Sequence, residues 1–182
     1  MDAWAGLTYK DYKVNDEEQR KIFDNWFIRL KPLVSKIVRA FAFTQADQED
    51  LFQEIALQVW NSIPSFRNQS MVSTWLYRVA LNTAIKWTQK EKKHRMGKES
   101  PEDHVHLLQD PQSSTDERLV WIYEQVAGMN LVDRSLTLLM LDGLSYKEMS
   151  GILGISESNI GVKINRIKKK LAEQSKNIKN GI

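Results

Sequence analysis

Apolar residues recur at three- and four-residue steps through most of this chain, which is the spacing of α-helices that each bury one face. The first stripe consists of Ile22, Trp26, Leu30, Leu33, Ile37 and Phe41. Pro32 interrupts this stripe, and because proline removes a backbone donor from a helix, we expect a kink or a division into two pieces there. The second stripe consists of Leu51, Ile55, Val59 and Ile63. Residues 47–50 are acidic or amide side chains that suit the positive end of a helix opening at this point.

Breaks in the pattern divide the chain into parts. Pro64 should end the second helix, residues 65–71 form a polar loop, and Ser73 or Thr74 should cap a third helix. Residues 96–115 are rich in Pro, Ser and acids, after which helical spacing resumes to about Leu171. Since no strand-like alternation is present, we predict an all-α fold of two small helical domains joined by an acidic flexible linker. The predicted boundaries are an N-terminal extension at 1–15, a first domain at 16–95, the linker at 96–115 and a second domain at 116–175.

A helix-turn-helix is the strongest local prediction, at residues 143–166. Ser145 and Glu148 have the spacing of a capping box, in which each side chain satisfies a backbone N–H of the other. Gly154 falls where the chain must turn with positive φ, and Ser156 can cap the following helix. That helix buries an apolar stripe and turns a mostly polar, basic face outward, which is typical of a helix that enters the major groove. An ordinary helical hairpin with solvated lysines is the alternative.

Charge is distributed unevenly, although the net value is only +3. Residues 86–98 hold six Lys or Arg and one acid, residues 99–117 hold six acids and no Lys or Arg, and residues 163–170 hold five basic residues and no acid. This order indicates two separate surfaces for anionic ligands. The lysines at 168–170 would add phosphate contacts, which increase affinity without choosing a sequence. The chain has no cysteine and no apolar stretch of about 18 residues, so we expect a cytoplasmic protein without a membrane span.

Residues 66–78 combine aromatic side chains with Arg and Asn at the junction between the polar loop and the third helix. Single-stranded nucleic acid is bound by such a combination, because flat rings stack on bases while cations contact phosphates. Phe66 and Trp75 are the aromatic residues in question. The alternative is that both belong to the hydrophobic core.

Three blocks together, residues 50–60, 66–82 and 143–148, closely resemble the extracytoplasmic-function (ECF) sigma factors, the small two-domain sigma subunits of bacterial RNA polymerase. The resemblance extends over residues 16–95 and 116–173. It implies a protein that is not an enzyme, needs no cofactor or metal, binds core RNA polymerase, directs it to promoters and helps to open the −10 region. Opening requires unstacking a base, and a pocket for the extruded base recovers that cost.

The resemblance also implies roles for individual residues. The polymerase-binding set, which would contact the clamp of the largest subunit, is Asp50, Leu51, Gln53, Glu54 and Gln58. The −10 set, which would contact single-stranded promoter DNA, is Phe66, Arg67, Asn68, Ser70, Trp75, Arg78, Asn82 and Lys86. The −35 set, which would contact duplex DNA, is Ser156, Glu157, Ser158, Asn159, Val162, Lys163, Arg166 and Lys169. Other implied partners are the flap of the second largest polymerase subunit and an anti-sigma factor.

Some features depart from the family pattern or have no role in it. Gly161 lies in the middle of the recognition helix where the family usually has a basic residue, and glycine costs about 1 kcal/mol of helix propensity. Ser150 and Gly151 occupy a stretch where alanine is commoner. Residues 4–12, with several aromatic side chains, have no assigned role. The acidic linker would thread toward the active-centre and RNA-exit channels of the polymerase, or serve only as a tether.

Two other functions compete with this interpretation. A stand-alone helix-turn-helix repressor or activator would need a dimer surface for paired half-sites, and no heptad or apolar patch for one is visible. A metal-dependent enzyme would have to use His94, His104 and His106, which stand without cysteine or another suitable ligand nearby.

Overall fold

The computed structural model describes residues 15–95 and 117–179. Residues 1–14, the linker at 96–115 and the pair His104 and His106 therefore lie outside the described residues. The described ranges contain no β-strand, and the predicted all-α class is confirmed. Their helices are α1 (Asp16–Phe41), α2 (Gln45–Ser62), a short 3-10 turn (Ile63–Ser65), α3 (Val72–Arg95), α4 (Glu117–Ala127), α5 (Leu131–Leu141), α6 (Tyr146–Leu153) and α7 (Glu157–Lys179). None of these helices combines the length and apolar character needed to cross a membrane.

Helix α1 begins where the side chain of Asn15 accepts a hydrogen bond from the backbone N–H of Glu18, at 2.8 Å. Three acids in its first turn face the positive end of the helix dipole. Pro32 lies inside α1, and the predicted division at this residue is wrong because the helix continues through it to Phe41. Pro32 is exposed, so its ring lies on the solvent side of α1 and not in the core.

The starts of α2 and α3 differ from the sequence prediction. Helix α2 begins at Gln45, since Thr44 caps it by accepting from the N–H of Asp47 at 3.1 Å. Asp47 is therefore in the first turn rather than at its start. Helix α3 begins at Val72, and the N–H of Trp75 donates to the carbonyl of Met71 at 3.0 Å. The predicted caps Ser73 and Thr74 thus lie inside the first turn of α3, and that prediction is wrong.

The three long helices α1, α2 and α3 pack on one another around a common core. Fully buried side chains at its centre include Ile37, Leu51, Ile55, Leu76 and Leu81. A second, smaller cluster lies at one end, where Trp26, Ile63 and Phe66 are buried and Trp75 packs against them. Burying this apolar surface drives the three helices together, which leaves the polar sides of α2 and α3 in solvent.

Helices α4 to α7 form the second helical region, in which α6 and α7 make the helix-turn-helix and α5 packs against α7. Its core contains Leu136, Leu139, Met149, Ile160 and Ile164. This region is not separate from the first in the described residues, because the two cores join into one continuous cluster. Contacts run from α1 to α4 and α5, and from α3 to α6.

Candidate functional site

The outward side of α2 carries the predicted polymerase-binding residues. Asp50, Gln53, Glu54 and Gln58 are exposed, whereas Leu51 and Ile55 are fully buried beneath them. The buried residues recur every four positions and therefore share one side of α2. The exposed residues lie on the other side of the helix. Leu57, which sequence reasoning missed, is 56% exposed among these polar residues. An exposed leucine on a helix otherwise lined with acids and amides is the signal that could have identified it.

A groove of about 540 Å³ separates this side of α2 from α3. Carboxylates of Asp50 and Glu54 line its α2 wall, and Arg78, Lys86 and Lys90 line its α3 wall. The groove thus brings together side chains from two sets that the sequence assigned to different partners. One wall suits a basic or hydrogen-bonding protein surface, while the other suits phosphates.

The α3 side chains Arg78, Asn82 and Lys86 are exposed and spaced four apart, so they lie in one row along the helix. Such a row of two cations and an amide can follow a nucleic-acid backbone. The guanidinium of Arg78 is already engaged, because its Nη2 donates to the carbonyl oxygen of Gly151 on α6.

The loop at residues 66–71 stands on an aromatic cluster. The rings of Trp26, Phe66 and Trp75 meet edge to face, with centroids 5.1 Å (Trp26–Phe66), 5.6 Å (Trp26–Trp75) and 5.3 Å (Phe66–Trp75) apart. Phe66 is only 4% exposed, so it belongs to the hydrophobic core, which was the alternative to base stacking. Trp75 is half-buried. A buried ring has no free face for stacking on a base.

Polar residues of the same loop lie at the surface. Arg67 and Asn68 are exposed, and Ser70 is half-buried. Asn68 has φ of 53°, a left-handed conformation that asparagine tolerates better than most residues. The loop therefore turns sharply at an exposed amide, which carries both a donor and an acceptor for the edge of a base.

The helix-turn-helix is built by the signals found in the sequence. Glu148 Oε2 accepts from the backbone N–H of Ser145 at 2.7 Å, and the N–H of Glu148 donates to Ser145 Oγ at 3.3 Å, which confirms the capping box. Hydrogen bonds from the Ser145 hydroxyl and backbone N–H lower the pKa of Glu148. Gly154 ends α6 with φ of 70°, and Ser156 caps α7 by accepting from the N–H of Asn159 at 3.3 Å.

Helix α7 divides into a buried and an exposed side. Ile160, Ile164 and Ile167 are buried against α5 and α6. Exposed residues of the predicted −35 set are Ser156, Glu157, Ser158, Asn159, Val162, Arg166 and Lys169. Val162 is 57% exposed and lies two residues from both Ile160 and Ile164, so at about 100° per residue it is opposite the buried stripe.

Lys163 differs from the rest of this set. It is half-buried, and its Nζ lies 3.5 Å from Oδ1 of Asp133 on α5. This ion pair joins the recognition helix α7 to α5 behind it, a contact that no local pattern in the sequence indicated.

Tyr146 of α6 packs against Gly161 of α7. A Cβ at Gly161 would lie 3.5 Å from Cε2 of the tyrosine ring.

Comparison with known proteins identifies both halves of the chain. Residues 26–94 match the family model of Sigma-70 region 2, and residues 121–171 match Sigma-70, region 4. RNA polymerase sigma factor YlaC of Bacillus subtilis is 27% identical over 133 residues, which are 68% of this chain and 74% of the relative. The ECF RNA polymerase sigma-E factor of Escherichia coli is 26% identical over 151 residues, which are 74% of this chain and 76% of the relative.

Solved structures share the fold. The sigma factor RpoE, in complex with the anti-sigma factor NepR from Bartonella quintana, superposes with a TM-score of 0.73 at 18% identity over 86% of this chain and 98% of that one. CnrH, in complex with the cytosolic domain of CnrY, superposes with a TM-score of 0.62 at 17% identity over 86% and 89%. With both sigma regions present in order and ECF relatives matched across most of the chain, this protein belongs to the ECF group of sigma factors, which direct RNA polymerase to promoters.

Proposed function

We propose that this sigma factor divides its work among three surfaces: the outward side of α2 binds core polymerase, the loop at 66–71 with α3 binds the opened −10 element, and α7 binds the −35 duplex. The observation that carries this proposal is that each surface presents polar side chains from a helix whose opposite side is buried. Rigid support of this kind holds binding groups in place before the partner arrives. Binding alone accomplishes the task, in the cytoplasm where the polymerase works.

Run-off transcription with core RNA polymerase on genomic fragments tests the function as a whole. Transcripts that depend on this chain would support it and would yield the promoter sequences. Tight sequence-specific duplex binding by the chain alone, with no transcript when core polymerase is added, would overturn it in favour of a stand-alone regulator.

For α2, we propose contact with the clamp of the largest polymerase subunit. Asp50 and Glu54 supply negative charge, and the exposed Leu57, one turn beyond Glu54, adds an apolar contact beside them. Interfaces of this type place an apolar anchor inside a polar rim. The helix-turn-helix half would contact the flap of the second largest subunit.

Charge reversal separates this surface from the DNA surfaces. Asp50→Lys combined with Glu54→Lys should weaken binding to core polymerase by at least about tenfold, since it removes charged hydrogen bonds and adds repulsion. Binding to −35 duplex should be unchanged. Glu17→Lys is the matched control, because Glu17 is an exposed carboxylate near the start of α1. Unaltered polymerase affinity in the double variant would refute the docking surface.

For the −10 element, we propose that the surface residues of the loop hold the extruded base while Phe66 and Trp75 support the loop from below. Asn68 offers its amide to the base edge, and Arg78, Asn82 and Lys86 contact the backbone of the same strand. Asn68→Ala should reduce promoter opening more than initial promoter binding, as measured by a permanganate footprint. Gln69→Ala, at the neighbouring exposed position, is the control and should leave the footprint unchanged.

For the −35 element, we propose that α7 enters the major groove with Val162 at the centre of the contact. Asn159 and Arg166 flank it with groups that hydrogen-bond to base edges, and Lys169 lies one further turn along toward a phosphate. An apolar side chain in this position is suited to the methyl group of thymine. Arg166→Ala should weaken −35 binding about tenfold without changing polymerase affinity.

We also propose that an anti-sigma factor controls this chain. The similar solved structure of the sigma factor RpoE is a complex with the anti-sigma factor NepR, and that of CnrH is a complex with the cytosolic domain of CnrY. A candidate anti-sigma protein should form a stoichiometric complex with the purified chain and abolish run-off transcription. A candidate that binds without reducing transcription would not be the controlling partner.

A further inference from the structure

Lys163 lies at the edge of the exposed side of α7 and not at its centre. With a turn of about 100° per residue, it points about that angle away from Val162, which is opposite the buried stripe. A helix is about as wide as the major groove, so its centre faces base edges while its two edges face the phosphates of the groove walls. The position of Lys163 therefore suits a phosphate, whereas Arg166, within about 40° of Val162, suits a base.

The ammonium group of Lys163 has a partner within the free chain. Its Nζ lies 3.5 Å from Oδ1 of Asp133, a residue in the first turn of α5, and both side chains are 28% exposed. The contact joins the helix that we propose binds DNA to a carboxylate on the neighbouring helix. An ion pair of this length between partly exposed groups is weak, because water and salt screen it.

Asp133 is stabilised by groups other than Lys163. Its Oδ2 accepts from Nδ2 of Asn130 at 2.7 Å, and its backbone N–H donates to Oδ1 of Asn130 at 3.0 Å. The carboxylate also lies at the positive end of the α5 dipole. Because these interactions hold Asp133 in place, Lys163 can leave without removing the compensation of the negative charge.

We propose that Lys163 exchanges partners when α7 binds DNA: Asp133 holds its ammonium group in the free chain, and a phosphate of the −35 duplex binds it in the complex. The flexible four-carbon stem of lysine lets Nζ move between the two acceptors while the helix stays in place. Asp133 thereby lowers the affinity of α7 for duplex DNA by the factor needed to break the ion pair. This exchange rests on the proposed role of α7 in binding the −35 element.

Neutralising the two partners, singly and together, tests the exchange. Asp133→Asn removes the charge but keeps an oxygen that can accept from Asn130, and Lys163→Gln removes the ammonium group but keeps most of the stem. The affinity of the full chain is measured over a series of salt concentrations for two fluorescent duplexes, one with the −35 element and one of mixed sequence. Glu124→Gln is the matched control, because Glu124 is an exposed acid on α4 of the same helical region.

Asp133→Asn should raise the affinity for both duplexes by about two- to fivefold, which is the range expected for a weak, partly exposed ion pair. In the Lys163→Gln background the same change should no longer raise the affinity. Lys163→Gln should reduce the slope of log affinity against log salt concentration by about one, whereas Asp133→Asn should leave that slope unchanged. Glu124→Gln should leave both the affinity and the slope unchanged.

Four results would each overturn the exchange. No gain from Asp133→Asn would mean that the carboxylate does not compete with DNA, and an equal gain without Lys163 would mean that it only repels phosphates. A gain confined to the −35 duplex would mean that a base, and not a phosphate, binds the ammonium group. An unchanged salt slope in Lys163→Gln would mean that Lys163 stays on Asp133 in the complex; this result decides alone if Asp133→Asn loses helical structure by circular dichroism.

Arg166→Ala separates failure of the exchange from failure of the proposed −35 surface. If Arg166→Ala and Lys163→Gln both leave duplex binding unchanged, α7 does not bind DNA and both proposals fail. If Arg166→Ala weakens −35 binding while the effects of Asp133→Asn and Lys163→Gln simply add, the −35 surface stands and only the exchange is refuted.

Discussion

Replacing Gly161 by alanine should stabilise the protein, although Gly161 lies in the middle of the helix that we propose contacts DNA. The residue is interior to α7, where alanine is favoured over glycine by about 1 kcal/mol because glycine loses more backbone freedom on folding. The added Cβ would lie 3.5 Å from Cε2 and 3.9 Å from Cδ2 of Tyr146, which are ordinary van der Waals separations. Almost the full propensity difference should therefore appear in the free energy of unfolding.

Thermal and urea unfolding of the full chain measure this effect. At about 1 kcal/mol, Gly161→Ala should raise the melting temperature by about 2–4 °C for a chain of this size. Gly154→Ala is the matched control and should act in the opposite direction. Gly154 has φ of 70°, where a Cβ costs about 1–2 kcal/mol, even though no atom of a non-neighbouring described residue would lie within 4 Å of that Cβ. A lower melting temperature for Gly161→Ala would refute the reasoning, since it would mean that the Tyr146 ring cannot accommodate the methyl group.

Three further predictions concern the cap, the core and the DNA contact. Because the pKa of Glu148 is lowered in the folded protein, its ionised side chain adds stability that is present above the ordinary glutamate pKa and is lost as pH falls through the lowered pKa. Glu148→Gln should reduce this loss of stability at acidic pH, as measured by urea unfolding at a series of pH values. The same pH dependence in the variant and the original protein would contradict the capping role. Leu136→Ala should cost about 2–5 kcal/mol in the free energy of unfolding, since Leu136 is fully buried, whereas a cost under about 1 kcal/mol would mean that the core collapses around the cavity. Replacing the contacted −35 thymine by deoxyuridine removes its methyl group and should weaken DNA binding by the original protein about fourfold. The same replacement should leave DNA binding by the Val162→Ala protein unchanged. Equal losses of affinity in both proteins would exclude a contact between Val162 and the methyl group.

The sequence predicted local structure well wherever the cause is local. The capping box of Ser145 and Glu148, the turn at Gly154 and the cap at Ser156 each depend on a few neighbouring residues, and each is found as predicted. Local signals were misleading where several candidates stood close together. Thr44 caps α2 ahead of the acids, and α3 begins before Ser73, because any of these residues can satisfy the first free N–H groups of a helix.

The role of aromatic residues at the loop could not be settled from the pattern. Phe66 and Trp75 stand beside Arg and Asn in the sequence, which is equally consistent with a stacking surface and with a core. Burial of Phe66 depends on Trp26, which is 40 residues earlier and contributes the facing ring. The residues next to the loop in the sequence therefore do not indicate that Phe66 is buried.

The sequence by itself determined the all-α class, the order of the two regions and the family to which the chain belongs. It also determined which faces of α2, α3 and α7 point outward. Helical periodicity encodes which side of each helix is buried, since that side must be apolar whatever it packs against. Only the tertiary structure decided the partners of the individual charges. Lys163 pairs with Asp133, Arg78 with the carbonyl of Gly151, and Arg134 with two phenylalanine rings. These contacts join residues that are distant in the chain, and they depend on how whole helices pack, which periodicity within each helix does not specify.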